Sequence, residues 1–134
     1  MNKLILICLI ASIYCGDINK AVAYLVALPL SSVIRPSGKY VADALEAGGF
    51  KFTRQPSAYM YRTKGILAKM GFKEISKPNP FKKGDITVTE YNAAHPHGYI
   101  AMYTGSNWRS DFIQSSEFVF TSNQPKVHYY RYQQ

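Results

Sequence analysis

The spacing of apolar positions changes once along the chain. From Ser37 to Phe50, SGKYVADALEAGGF sets Tyr40, Val41, Ala44 and Leu45 at helical intervals, so they make one apolar face. Ser37 stands where an N-cap belongs, and Gly48-Gly49 stop the helix. PSAYMYRTKGILAKMGF, from Pro56 to Phe72, predicts a second helix, opened by Pro56 and Ser57, closed by Gly71 and weakened inside by Gly65. Beyond it the period shortens to two. Phe72 to Ser76 predicts a short strand, and KPNPFKKG a loop. DITVTEY, Asp85 to Tyr91, alternates Ile86 and Val88 with threonines, as a half-buried strand does. Tyr99 to Thr104 and Trp108 to Gln114 flank GSN and predict a hairpin. Glu117 to Ser122 and Val127 to Gln133 complete the strands. Helices first and antiparallel strands after make an α+β layout. There is no internal repeat and no low-complexity linker.

Two segments precede the first helix. MNKLILICLIASIYCG carries Lys3 and then an apolar run from Leu4 to Cys15. That pattern fits the charged and apolar parts of an export signal and is too short to span a bilayer. Ala21-Val22-Ala23 is a small-x-small cleavage candidate, and Cys15 a lipidation candidate after an ill-fitting Tyr14. A buried N-terminal helix is the alternative. Residues 1–23 are therefore expected to be a signal or hydrophobic segment and 24–134 one domain. YLVALPLSSVIRP, from Tyr24, reads as a lead-in. These expectations place the protein outside the cytoplasm, secreted or periplasmic, or held at the membrane by its N-terminal segment. Both cysteines, Cys8 and Cys15, lie in the removable part, so the mature domain would have no thiol nucleophile and no disulfide.

The 134 residues suffice for one hydrophobic core, and 18% charged residues argue against disorder. The net charge of +8 suits an anionic partner: nucleic acid, an acidic membrane or a bacterial wall. Eleven tyrosines suit strands and binding grooves.

An amidase needs a nucleophile, a histidine base and a polar group that orients the histidine. A nucleophile gains from a helix N-terminus, whose partial positive charge favours a developing anion. Ser37 begins the first predicted helix, His97 precedes a strand, and Asp111 lies on the next strand across the GSN turn. Each residue also has a structural reading; for Ser37 it is the helix cap.

PFKKGDITV followed by HGYIAMYTGSNWRSDF resembles the second half of bacterial and phage CHAP-type peptidoglycan amidases, part of the broader papain-like wall-hydrolase group. SGKYVADALEAGGF and SAYMYRTKGILAKMGF resemble that family's first two helices. The likeness spans about residues 36 to 120. It implies a papain-like α+β fold, with N-terminal helices on an antiparallel sheet, and cleavage of amide bonds in wall peptides. The chain departs from the family at two positions. The family's cysteine either matches Ser37 or is removed by a short deletion beside it, and its histidine, which follows a glycine, matches Tyr99 after Gly98. Asp111 matches the polar position of the return strand and is the expected orienter.

Serine is a far weaker nucleophile than a partly ionised thiol. A free phenol titrates near pH 10, so Tyr99 is no base at neutrality. On an extended chain His97 and Tyr99 would share a sheet face about 6.5 Å apart, unless Gly98 forms a bulge. Two readings follow. In one, a hydrolase uses Ser37, His97 and Asp111, with Tyr99 at the former base position. In the other, a degenerate relative binds wall material without cutting it.

Other features read more simply. His95 and His97 flank Pro96 without a third ligand at metal-site spacing, so neither metal nor cofactor is expected. Trp108 reads as a hairpin aromatic, His128 as a strand residue, and Lys82-Lys83 and Lys51 with Arg54 as solvated surface. HYYRY faintly resembles a single-strand nucleic-acid platform, but no RNA-binding motif accompanies it, so no nucleic-acid partner is expected. The expected partner is peptidoglycan and the expected state a monomer; the sequence does not say whether an inhibitor or immunity protein pairs with it.

Overall fold

A computed structural model describes residues 16–30, 38–110 and 112–133. Its helices are α1 (Ile18–Ala27), α2 (Lys39–Ala47), α3 (Met60–Thr63) and α4 (Ile66–Lys69). Its strands are β1 (Phe72–Ile75), β2 (Ile86–Thr89), β3 (Tyr99–Tyr103), β4 (Trp108–Arg109), β5 (Ile113–Gln114) and β6 (Val127–Tyr132). The strands form one sheet in the order β1-β6-β2-β3-β4-β5, antiparallel throughout. The α+β layout with N-terminal helices against an antiparallel sheet is as the sequence predicts.

All four residues of β2 are buried, so the sheet is covered on both sides. Ile86 and Val88, with Ile100, Met102 and Tyr130, face the helices and meet Val41, Leu45 and Leu67. Thr87 and Thr89 face the other way, where Tyr99, Ala101, Trp108 and Val119 form a smaller core closed by Phe81 and Phe120. Burying each large side chain contributes roughly 1.5–3 kcal/mol.

α1 occupies chain expected to be leader and lead-in. It runs unbroken through residues 23 and 24, and Ala21, Val22 and Leu25 are buried in the main core. Asp17 caps it by accepting from the Lys20 N–H, and the Asp17 N–H is bonded to the Gly48 carbonyl. At its other end the buried Arg109 guanidinium donates to the Val26 and Leu28 carbonyls. These are carbonyls that a helix C-terminus leaves without partners, and a cation there also suits the helix dipole.

Three other elements differ from expectation. The single helix over 56–72 is two short ones, because Gly65 adopts φ +67° between them and breaks the ladder. The expected return strand over 108–114 is instead two short strands, β4 and β5, which pair antiparallel with each other. Glu117 to Ser122 is not a strand; it crosses the second sheet face as irregular chain, with Val119 buried there. The Ser37 cap lies outside the described residues. The N-cap of α2 is Gly38, which offers no side-chain cap.

Candidate functional site

The predicted site lies where β2 ends and β3 begins. Gly98 sets the geometry. Its φ is +62°, and an added Cβ would overlap the Thr89 carbonyl oxygen. Only glycine tolerates both constraints easily. β3 starts after it, so His97 and Tyr99 are not consecutive same-face residues of one extended strand. His97 is exposed and Tyr99 is 2% exposed. This corrects the shared-face expectation: the left-handed residue between them turns the two side chains into different surroundings.

His97 is held from the helical side. Its Nδ1 lies 2.8 Å from Ser57 Oγ, and its carbonyl accepts from the Tyr59 N–H at 3.2 Å. Nε2 is left without a hydrogen-bond partner among the described residues. Tyr99 reaches into the second core, where its hydroxyl is 2.5 Å from Ser110 Oγ and Ser110 is fully buried. A phenol fixed in this way stabilises by a buried hydrogen bond and offers no lone-pair base to solvent. Ser37 and Asp111, the expected nucleophile and orienter, lie outside the described residues.

His95 takes a different course from its neighbour. Its ring stacks on Phe120 at 3.6 Å between centroids, and its Nε2 bonds the Ser122 carbonyl at 3.0 Å. The two histidines around Pro96 therefore serve different loops. Among the described residues, no group of three His, Cys, Asp or Glu side chains is placed to hold a metal.

Beside His97 is a feature the sequence did not reveal. Tyr59 and Tyr91 pack with ring centroids 4.4 Å apart, and Tyr91 is 57% exposed. With Arg62, Thr63, Val88 and Glu90 they line a cleft of about 150 Å³. Glu90 is bonded by His128 Nε2 at 2.6 Å, while His128 Nδ1 lies 3.3 Å from Glu74. Glu74 also accepts from Arg62 and from the Tyr130 hydroxyl. The bond from His128 holds the Glu90 carboxyl below its ordinary range, with desolvation partly opposing. His128 is thus a clasp between β1 and the end of β2 as well as a strand residue. The HYYRY segment offers no stacking platform, because His128, Tyr129 and Tyr130 are buried and Arg131 is bound to Asp85. Trp108 is the expected hairpin aromatic: it opposes Tyr103 and meets Phe81 edge-on at 5.0 Å.

The signal that could have exposed the cleft is Tyr91, an aromatic at the polar end of a strand. Nothing local marks Ser57, whose partner is 40 residues away.

No protein-family model matches the chain, and no curated protein does. Two solved structures do. One is a chain of the type VI native effector-immunity complex Tae3-Tai3 from Ralstonia pickettii, with a TM-score of 0.72 and 34% identity. That match covers 87% of this chain and 99% of that one. The other is a chain of the selenomethionine form of the same complex, with a TM-score of 0.71 and 32% identity over 84% of this chain and 99% of that one.

Proposed function

Because this chain belongs to the family of the chain it matches in the Tae3-Tai3 effector-immunity complex, we propose that it binds bacterial wall peptides without cutting them. It is read as a counterpart of the effector and not of the immunity protein, because its amidase-like blocks make up most of the chain. In this reading the papain-like wall-hydrolase frame is kept and its chemistry is lost. The observation that carries it is the Tyr99–Ser110 bond. The strand position where the family has its base is filled by a buried, hydrogen-bonded phenol. The net charge of +8 supports attraction to the anionic wall.

The test uses the full chain and purified peptidoglycan sacculi. The protein is expected to sediment with sacculi and to release no soluble peptide at any pH from acid to mildly alkaline. Peptide release that disappears in His97→Ala overturns the proposal.

One observation favours a second reading. Ser57 orients the His97 ring through Nδ1 and leaves Nε2 open, the arrangement of a working base. Ser37 would then attack the peptide carbonyl and His97 would take its proton and return it to the leaving amine. Ser57 would take the orienting place expected of Asp111, and backbone N–H groups at the start of α2 would stabilise the oxyanion. This reading requires cleavage by the unmodified protein and its loss in Ser37→Ala.

A further inference from the structure

We propose that a basic cleft at the start of α1 takes the phosphate headgroup of an anionic phospholipid and seats this end of the fold on a membrane surface. The inference does not rest on wall binding. The cleft has a volume of about 310 Å³, and its lining includes Asp17, Ile18, Asn19, Lys82, Lys83 and Arg131.

The charges in it are not equivalent. Asp85 is buried, and both of its oxygens take bonds from the Arg131 guanidinium, at 2.8 and 2.7 Å. It also accepts the Lys82 N–H at 2.8 Å, which fixes the lysine-bearing loop. Asp17 accepts the Lys20 N–H as the helix cap. The Lys82 and Lys83 ammoniums are exposed and make no ion pair among the described residues. Lys20 on the first turn of α1 and Lys73, opposite Arg131 in register, are likewise exposed and unpaired among those residues. The loop cannot drift from α1, because Gly84 is packed so closely on Ile18 that a Cβ there would overlap it.

Position selects the occupant. The apolar run Leu4 to Cys15 joins the described fold at Gly16, next to Asp17 in the cleft wall. A short apolar segment binds a bilayer weakly alone, and stable attachment takes a second signal such as a basic patch. If this run enters a bilayer, residues 17–19 lie at headgroup depth, and the lysines beside them meet lipid phosphates. The two signals then lie at one end of the molecule.

The test is co-sedimentation of the full chain with vesicles of pure phosphatidylcholine and with vesicles containing added phosphatidylglycerol. The wild-type chain is expected to prefer the anionic vesicles, and the preference to fall with salt. Lys82→Gln with Lys83→Gln is expected to weaken partition into anionic vesicles roughly 30-fold, at about fivefold per lysine, and to leave binding to neutral vesicles unchanged. Lys64→Gln with Lys69→Gln, the same charge change on α4 and the turn before it, is expected to keep the preference. Equal binding to both vesicles by the wild type overturns the proposal, as does equal loss in the two double variants. Displacement from vesicles by low concentrations of free glycerol phosphate also overturns it, because the ligand would then be a soluble phosphate.

Discussion

The Tyr99 hydroxyl lies 2.5 Å from Ser110 Oγ, joining the first residue of β3 to the end of β4 inside the second core. The position thus serves stability. Tyr99→Phe is expected to cost about 1 kcal/mol, the net worth of one hydrogen bond, without changing the fold. Urea denaturation with an unchanged slope checks it. In the wall-binding reading, Ser37→Cys together with Tyr99→His is expected to create peptide release, and neither change alone is. Release by either single variant would count against that reading.

Ser57 fixes the ring of His97 from a turn 40 residues earlier. Ser57→Ala is expected to leave the melting temperature nearly unchanged, since both side chains are at the surface. It should alter the nitrogen chemical shifts of His97, because removing the Nδ1 partner frees the tautomer balance. Unchanged shifts would show that the bond does not hold the ring in solution.

Arg109 satisfies the C-terminal carbonyls of α1 from within the fold. Arg109→Met is expected to cost about 2 kcal/mol, because two part-buried carbonyls lose a charged donor. Hydrogen exchange should lose protection first in residues 18–27. Uniform loss across the sheet would mean that the arginine serves some other contact.

Ala21, Val22 and Leu25 belong to the core, and Asp17 caps the helix that carries them. A chain starting at Gly16 is expected to fold cooperatively, and one starting at Tyr24 is not. If a leader is removed in the cell, N-terminal sequencing is expected to place the cut ahead of Asp17. A mature protein that begins at Tyr24 and melts normally would contradict this.

Glu90 has a folded-state pKa below its ordinary 4.5, chiefly through the bond from His128. As pH falls, the unfolded chain therefore takes up the proton first. The stabilisation is complete above about 4.5 and is lost as pH falls through the lower, folded value. Melting temperatures measured from about pH 6 to pH 3 should fall less steeply in Glu90→Gln than in the wild type. An equal slope would show that the pair does not form.

The layout was legible because it follows period: helical spacing to Leu45, alternation from Ile86, and turn chemistry at the GSN hairpin. The misses have physical causes. Gly65 had room to break a helix whose second half was held by Leu67 packing. Glu117 to Ser122 has strand composition but covers a sheet face and joins no edge. α1 resembled leader chain because a small-residue helix face and a cleavage pattern use the same alanines. At the site, the sequence exposed His97 and Tyr99 as misfits but could not supply their partners, Ser57 and Ser110. Those contacts depend on the φ of one glycine and on the register of β4.

Arg109 also sets an order of events. The Leu28 carbonyl waits 81 residues for its donor, so the β3–β4 hairpin completes what the local Leu28 N–H to Leu25 bond begins at the end of α1. On the ribosome, the last carbonyls of the chain's first described helix therefore lack their charged donor until most of the protein has been made, and until then its apolar face is open to other binders.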